Sequence, residues 1–263
     1  MMIKRHIISL SFVALLALSG CSSMPKSGAE RAEINGVNDP IEPVNRAIFD
    51  VNDFLDRLLI RPMAELYRVT VPPPLRDRIA AILRNMAEPV IFANNLMQGE
   101  VTNAGTTLSR FLVNTTVGGA GMFEVASDWG MPRQSGDFGQ TLHVWGLGEG
   151  PYLVLPLFGP SNLRDAVGLG VDTVMSPWKY IVAYGDTTTE DTFAITSTAA
   201  SALTRREANI EGYDALREGS LDFYAQMRSV YRQYRAKQLG TQTGMQSPVF
   251  EDYDAENSTP VFH

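Results

Sequence analysis

A serine, a histidine and an acid held together make a hydrolase, and this chain supplies them thinly. Of its three histidines, His6 lies in an N-terminal leader and His263 is the last residue, so only His143 falls within a foldable region. A hydrolytic triad needs a base oriented by an acid and a nucleophile on a sharp turn. No Gly-x-Ser-x-Gly stretch accompanies His143, and Ser161, in Gly159-Pro160-Ser161, reads as a helix cap. Metal chemistry fares no better, because zinc needs several histidine or cysteine ligands and Cys21 is the only cysteine. The acidic pairs Glu190-Asp191 and Glu251-Asp252 read as loop and tail. Gly146-Leu147-Gly148-Glu149-Gly150 lacks the spacing of a P-loop or a dinucleotide fingerprint. The residues point away from an enzyme: no catalytic group, metal or cofactor is assigned. The competing enzymatic reading is a membrane-bound lipase or acyltransferase centred on His143.

Four other polar residues stand out because they interrupt apolar helical patterns: Arg110, Asn114, Arg164 and Asp165. Burying such groups unpaired costs several kcal/mol each, on the order of 2–7. Two readings follow. They line a channel that takes a lipid headgroup, or they pair internally and hold helices together.

Cys21 has a chemistry of its own. Lys4 and Arg5 precede an apolar run, Ile7 to Leu18, and then Leu18-Ser19-Gly20-Cys21. A charged start, an apolar core too short to span a bilayer and small residues at the end make a secretory signal. The last four residues match the bacterial lipoprotein box, which makes Cys21 the acylated first residue of the mature chain. Ser22, where inner-membrane lipoproteins commonly carry Asp, points to the outer membrane on its periplasmic side. Removing residues 1–20 takes Lys4 and Arg5 away and the formal charge from −7 to −9. Nucleic acid is therefore an unlikely partner, anionic lipid would not attract the chain electrostatically, and membrane contact beyond the anchor must be apolar.

The elements that position these residues read as helices. Residues 21–38 form a polar tether, residues 39–236 the folded domain, and residues 237–263 a disordered tail. From Val44 the apolar positions 44, 47, 48, 51, 54, 55, 58 and 59 follow one helical face. Pro62 breaks that helix, and a short amphipathic piece runs through Tyr67. A helix opens at Pro74 and is punctuated at Glu88-Pro89, with a further short helix over Val90 to Met97. Thr102 to Val117 is apolar nearly all round, so it is central or faces lipid. Short helices are expected over Met122 to Asp128 and Phe138 to Trp145, then an apolar strand-like segment from Tyr152 to Leu157. A helix capped by Ser161 runs to Pro177. Trp178 to Tyr184 reads as an interfacial segment and Asp186 to Thr192 as a loop. Helices over Ala199 to Ile210 and Tyr213 to Arg235 complete the domain. Ten of the 22 glycines fall between Gly118 and Pro160. The alternating Gly146, Gly148 and Gly150 lead straight into the apolar Tyr152 segment, which suggests either a gate for a greasy ligand or an ordinary buried turn.

Several spaced motifs together resemble the VacJ/MlaA family of outer-membrane lipoproteins. They are Asp39-Pro40-Ile41-Glu42-Pro43-Val44-Asn45-Arg46, Asn52-Asp53, Arg61-Pro62, Val71-Pro72, Asn85 with Glu88-Pro89, and Gln98-Gly99. They continue with Arg110 to Gly118, Asp137-Phe138-Gly139-Gln140-Thr141-Leu142, Gly148 to Leu153 and Leu163-Arg164-Asp165. The resemblance covers roughly Asp39 to Tyr234 and agrees with the lipoprotein box at Cys21. It implies an all-α fold, a ring-like bundle of amphipathic helices in the inner leaflet of the outer membrane, around a central amphipathic channel. It implies phospholipids as cargo, removed from the outer leaflet so that the membrane stays asymmetric. The implied partners are a trimeric porin, a soluble periplasmic lipid carrier (MlaC-like) and an ATP-driven inner-membrane transporter. By position, the family's channel-bordering glycine hairpin falls on Gly146 to Gly150. The region of the first helix that affects gating in the family reads Phe49-Asp50-Val51-Asn52-Asp53-Phe54, where no single residue can be matched. A structural lipoprotein that organises porins without moving lipid is the alternative.

Overall fold

A computed structural model of the chain describes residues 38–182 and 187–240. The leader, Cys21, the tether before residue 38 and the tail from residue 241 onward lie outside the described residues. The architecture is helical, with one antiparallel pair of short strands among the described residues.

The chain opens with α1 (Glu42–Leu55), a π-helical turn (Asp56–Ile60) and α2 (Arg61–Thr70). Pro62 was expected to break this run. It does not: α2 continues directly from the π turn, with Pro62 in its first turn. The π turn absorbs the change of phase, the Arg61 N–H reaching back to the Asp56 carbonyl. Nor does Glu88-Pro89 end a helix: α3 (Pro73–Met97) runs through it. The Trp178 indole donates to the Met86 carbonyl at 2.6 Å, next to the Asn85 carbonyl that Pro89 leaves without its helical donor. At the end of α3, Gly99 takes a left-handed conformation, and the N–H groups of Gly99 and Glu100 close on Leu96 and Asn95. That turn sends α4 (Val101–Thr116) back along α3.

After α4 come α5 (Val125–Asp128) and α6 (Phe138–Val144). Asp137 and Gln140 cap α6 reciprocally: the Gln140 N–H donates to the Asp137 carboxylate and the Asp137 N–H to the Gln140 side chain. Strands β1 (Tyr152–Leu155) and β2 (Gly159–Asn162) pair antiparallel, with Tyr152 opposite Asn162 and Leu155 opposite Gly159. Then follow α7 (Leu163–Met175), α8 (Pro177–Val182), α9 (Thr187–Ala208), α10 (Ile210–Gly219) and α11 (Phe223–Gln238). Three expectations are corrected here. Ser161 is a strand residue, and the cap of α7 is Asn162, whose side chain accepts from the Asp165 N–H at 2.8 Å. Of the expected loop over Asp186 to Thr192, the part from Thr187 is the start of α9, and Asp186 lies outside the described residues. The expected long helix from Tyr213 divides at Ser220, and Asp222 caps the second half. Of the expected interfacial segment, Tyr180 and Ile181 are exposed, and residues 183–186 lie outside the described residues.

The two ends of the domain meet at the hairpin. Phe49 of α1, Tyr152 and Val154 of β1, Leu216 of α10, and Tyr224, Met227 and Val230 of α11 form the apolar core. Phe49 meets Phe223 and Tyr224 edge to face at 5.3 and 5.6 Å, the favoured arrangement for aromatic pairs. Two asparagines on α1, seven positions apart, grip the hairpin as a neighbouring strand would. Asn45 donates to the Tyr152 carbonyl and accepts from the Val154 N–H. Asn52 donates to the Leu155 carbonyl and accepts from the Leu157 N–H. Leu157 is left-handed, with φ of 67°, and the Asn52 bond is its support. Asp39, just before α1, accepts from Tyr224, Arg228 and Asn45, which fastens the start of the domain to α11.

The distribution of polarity is inverted. The largest side chains wholly lost to solvent are all polar: Arg110, Glu88, Asn45, Asn94, Asn95, Thr107 and Thr141. Large apolar side chains stand outside, among them Phe54, Leu58, Leu66, Leu112, Trp129 and Phe158. Helix α4 shows it best. Ala104, Thr107, Arg110 and Asn114 face inward, and Val101, Leu108, Leu112 and neighbouring Val117 face outward. The sequence offered centre or lipid for this helix; its small and polar stripe is buried and its apolar stripe is not. No described helix is long and apolar enough to cross a membrane.

Candidate functional site

Three helices build a cavity of about 560 Å³. Each presents one face at the spacing i, i+3, i+4, i+7, which stacks side chains along a helix: positions 80, 83, 84 and 87 of α3, positions 201, 204, 205 and 208 of α9, and positions 227, 230, 231 and 234 of α11. Phe158 and Pro160 of the hairpin and Arg133 from the segment after α5 complete the wall. Leu83, Met227, Val230 and Phe158 supply apolar surface. Arg84, Arg133 and Arg205 supply positive charge, and none of the described lining residues is a carboxylate. Phe158 is largely exposed and lies beside the left-handed Leu157 at the hairpin turn, so it stands at the cavity's mouth.

None of Arg110, Asn114, Arg164 and Asp165 lines this cavity; they hold its surroundings together. Arg110, on α4, donates to the Met131 carbonyl at 2.6 Å and to Ser127 at 3.0 Å, and lies 3.4 Å from Glu88 of α3. Burial pushes the Glu88 carboxyl above its ordinary range despite the Arg110 guanidinium beside it. Asn114 accepts from the Ala126 N–H at 2.9 Å and so fixes α5 to α4. Glu124 ties this group to the cavity wall: Arg84 donates to it at 3.1 Å, and Arg110 and Arg133 each approach to 3.9 Å.

Arg164 and Asp165 belong to a second network. Arg235 of α11 donates to both Asp137 oxygens, at 2.6 and 2.7 Å, and to Asp165 at 2.9 Å. Tyr231, whose ring lines the cavity, donates its hydroxyl to Asp165 at 2.7 Å. Burial alone would raise the Asp165 carboxyl; Arg235, Tyr231 and Arg164 outweigh it and bring it below its ordinary value. The helices here touch through glycine. A Cβ on Gly168 would sit 2.4 Å from the Gly139 nitrogen, and one on Gly139 would sit 2.5 Å from Asp165 and 2.6 Å from Arg235.

His143 lies at the edge of this network. Its Nδ1 is 3.3 Å from the Arg164 Nη1. An arginine only donates, so Nδ1 is the acceptor there, and a guanidinium stands where a triad would place its orienting acid. The Ser161 hydroxyl donates to the Asn162 carbonyl. Beyond His143 the backbone turns at left-handed Gly146: Gly146 and Leu147 donate to the His143 and Leu142 carbonyls, a helix-ending motif. Gly146 and Gly148 have open space around them, and Gly150, also left-handed, packs near Leu163. The run is joined to α7 by the Arg164 N–H donating to the Glu149 carbonyl at 3.2 Å.

A third network, missed in the sequence, joins the π turn to the C-terminal helices. Arg206 donates to both oxygens of buried Asp56 at 2.8 and 3.1 Å, while Arg217 pairs with Asp53 and Asp56. The ring of Tyr213 lies under both guanidiniums, 4.7 and 5.2 Å from them. Its partners are about 150 residues apart in sequence, and periodicity carries no signal for such pairing.

Comparison with known proteins follows from this geometry. A family model described as MlaA lipoprotein matches residues 37–238. An uncharacterised protein of Rickettsia bellii is 30% identical over 86% of this chain and 92% of its own length. The intermembrane phospholipid transport system lipoprotein MlaA of Haemophilus influenzae is 29% identical over 88% of this chain and 89% of its own length. That of Escherichia coli K12 is 35% identical over 61% of this chain and 64% of its own. A solved structure, described under the structural basis for maintenance of bacterial outer membrane lipid asymmetry, superposes with a TM-score of 0.66 at 29% identity, covering 76% of this chain and 98% of that one.

Proposed function

The chain belongs to the MlaA lipoprotein family, and on that premise we propose that it takes mislocalised phospholipid from the outer leaflet of the outer membrane and passes it to a periplasmic carrier. It is a component of intermembrane phospholipid transport, associated with the outer membrane, and its role is the maintenance of lipid asymmetry. The inverted polarity is the observation that carries this reading. A protein with many large apolar side chains facing out, and amides and charges buried beside its apolar core, suits a surround of acyl chains. With no described helix able to span, it lies within part of the bilayer. Acylation of Cys21 would fix it from the periplasmic side, since more than one chain is needed for stable anchoring.

The cavity gives phospholipid a place that is apolar on one part and cationic on another. Arg110, Asn114, Arg164 and Asp165 act behind it by positioning α4, α5, α7 and α11. Gly146, Gly148 and Gly150 are not among the described residues lining the cavity; their loop beside α7 is the border assigned to the lipid path. A trimeric porin and a soluble carrier are the expected partners on the two sides of the transfer, with an ATP-driven transporter at the inner membrane drawing lipid onward.

The test is outer-leaflet phospholipid in intact cells with and without the protein. Deletion should raise it, the wild-type chain should restore it, and Cys21→Ala should not. Gly148→Pro should alter it while thermal unfolding stays unchanged, because Gly148 has open space around it. Unchanged outer-leaflet phospholipid on deletion, with porin binding intact, would replace transport by the porin-organising reading.

A further inference from the structure

We propose that the cavity selects lipids by headgroup charge, with Arg205 as its specificity residue, and favours an anionic phosphodiester lipid over a zwitterionic amine lipid. The inference rests on the phospholipid-transfer reading and concerns which lipid is preferred.

The charge balance argues for it. Arg84, Arg133 and Arg205 face the cavity, and Arg110 stands behind Arg84 and Arg133. Glu88 pairs with Arg110, and Glu124 is shared by Arg84, Arg110 and Arg133. These guanidiniums gather in a chain whose formal charge is −7. Arg205 is exposed, and among the described residues its guanidinium makes no ion pair or side-chain hydrogen bond. Its neighbour Arg206, by contrast, is buried and spent on Asp56 and Asp214. A guanidinium offers a planar fork that matches phosphate oxygens two at a time. On the other side of the balance, none of the described residues lining the cavity is a carboxylate that could receive an ammonium. A headgroup carrying both a phosphate and an ammonium would satisfy one charge and bring the other among like charges. Leu83, Met227, Val230 and Phe158 supply the apolar surface for the adjoining part of the molecule.

The full-length protein in detergent micelles should be titrated with phosphatidylglycerol and phosphatidylethanolamine of identical acyl chains, and separately with inorganic phosphate. The expected result is tighter binding of phosphatidylglycerol by about tenfold, the scale of one charge-assisted hydrogen bond. Added salt should narrow that gap, and Arg205→Gln should largely remove it by weakening phosphatidylglycerol more than phosphatidylethanolamine, while the melting temperature stays the same. Equal binding of both lipids, unchanged by Arg205→Gln, would overturn the headgroup inference and leave transfer standing. Competition by inorganic phosphate at the same concentration as lipid would also overturn it, since the site would then read an anion and not a lipid. Binding of neither lipid would overturn the transfer reading and this inference with it.

Discussion

Two glycines on one helix should respond in opposite directions to the same substitution. Gly168 and Gly170 both lie in α7. A Cβ on Gly168 would sit 2.4 Å from the Gly139 nitrogen, 2.9 Å from its Cα and 3.2 Å from the Phe138 carbonyl carbon. All three are backbone atoms, so no side chain can turn away; α6 must shift, and with it the Asp137 cap that Arg235 grips. Overpacking of this kind costs on the order of 1–3 kcal/mol, and contact with backbone puts Gly168→Ala at about 3 kcal/mol. Gly170 meets nothing within 4 Å, so alanine there gains only from reduced unfolded-chain freedom, about 0.5–1 kcal/mol. At roughly 2–4 °C per kcal/mol for a domain of this size, Gly168→Ala should lower the melting temperature by about 6–12 °C. On the same scale Gly170→Ala should raise it by about 1–4 °C. The assay is thermal unfolding of the purified protein in one detergent at one scan rate, because irreversible unfolding makes the midpoint depend on rate. A Gly168→Ala protein as stable as wild type would refute the argument that α6 and α7 meet backbone to backbone. A stabilised Gly170→Ala would not rescue it.

Three other outcomes follow from particular contacts. Asn45→Ala removes bonds to Asp39, the Tyr152 carbonyl and the Val154 N–H; orphaned buried groups cost about 1–3 kcal/mol each, so denaturant titration should show a loss of a few kcal/mol, against little for Leu58→Ala on the exposed face. Asp165 has a folded pKa below its ordinary 3.8, so the unfolded chain binds its proton first as pH falls. Its contribution is complete above that ordinary value and disappears as pH drops through the lower folded value. Melting temperature against pH should therefore fall on the acid side, and Asp165→Asn should lose stability at neutral pH and flatten that part of the curve. Trp129 and Trp145 are exposed on the apolar surface, whereas Trp178 donates inward to Met86. In liposomes with brominated acyl chains, Trp129 and Trp145 should be quenched strongly and Trp178 less. Equal quenching of all three would mean that the apolar surface does not face lipid.

Helices were the legible part of this fold because their signals are local. Asp137 and Gln140 lie three residues apart and cap α6 wherever α6 ends up; the face beginning at Val44 repeats every three or four residues. Prolines misled, because a π turn precedes Pro62 and the helix runs on through Pro89. Strand β2 was illegible: Gly-Pro-Ser-Asn has no strand propensity, and it pairs because the turn at Leu157 returns it to β1. The polar residues that broke apolar patterns, Arg110, Asn114, Arg164 and Asp165, bond internally here, which is one of the two readings offered for them. Arg84 and Arg205 escaped notice because each sits on an ordinary amphipathic face, where a charge reads as solvent-exposed, and Arg133 because it lies in an irregular segment. Only the assembly of α3, α9 and the segment at Arg133 gathers them. The VacJ/MlaA resemblance supplied what periodicity could not, the all-helical fold and the transport role.

A chain with asparagines, arginines and glutamates inside and leucines outside also inverts the map of what evolution can change. In a water-soluble domain, surface positions drift through many polar residues and the interior is confined to a few apolar sizes. On the proposed placement in lipid, the exposed Leu58, Leu66 and Leu112 need only remain greasy, because lipid has no shape to match. Asn45, Asn52 and Asn114 bond backbone amides or carbonyls of distant segments, and no apolar side chain of the same volume can do that. Variation should therefore concentrate on hydrophobic positions, with Leu, Val, Phe and Met exchanging freely, while the hydrophilic interior stays nearly fixed. Deep mutational scanning of the described region would display that inversion directly, with polar buried positions as its intolerant class.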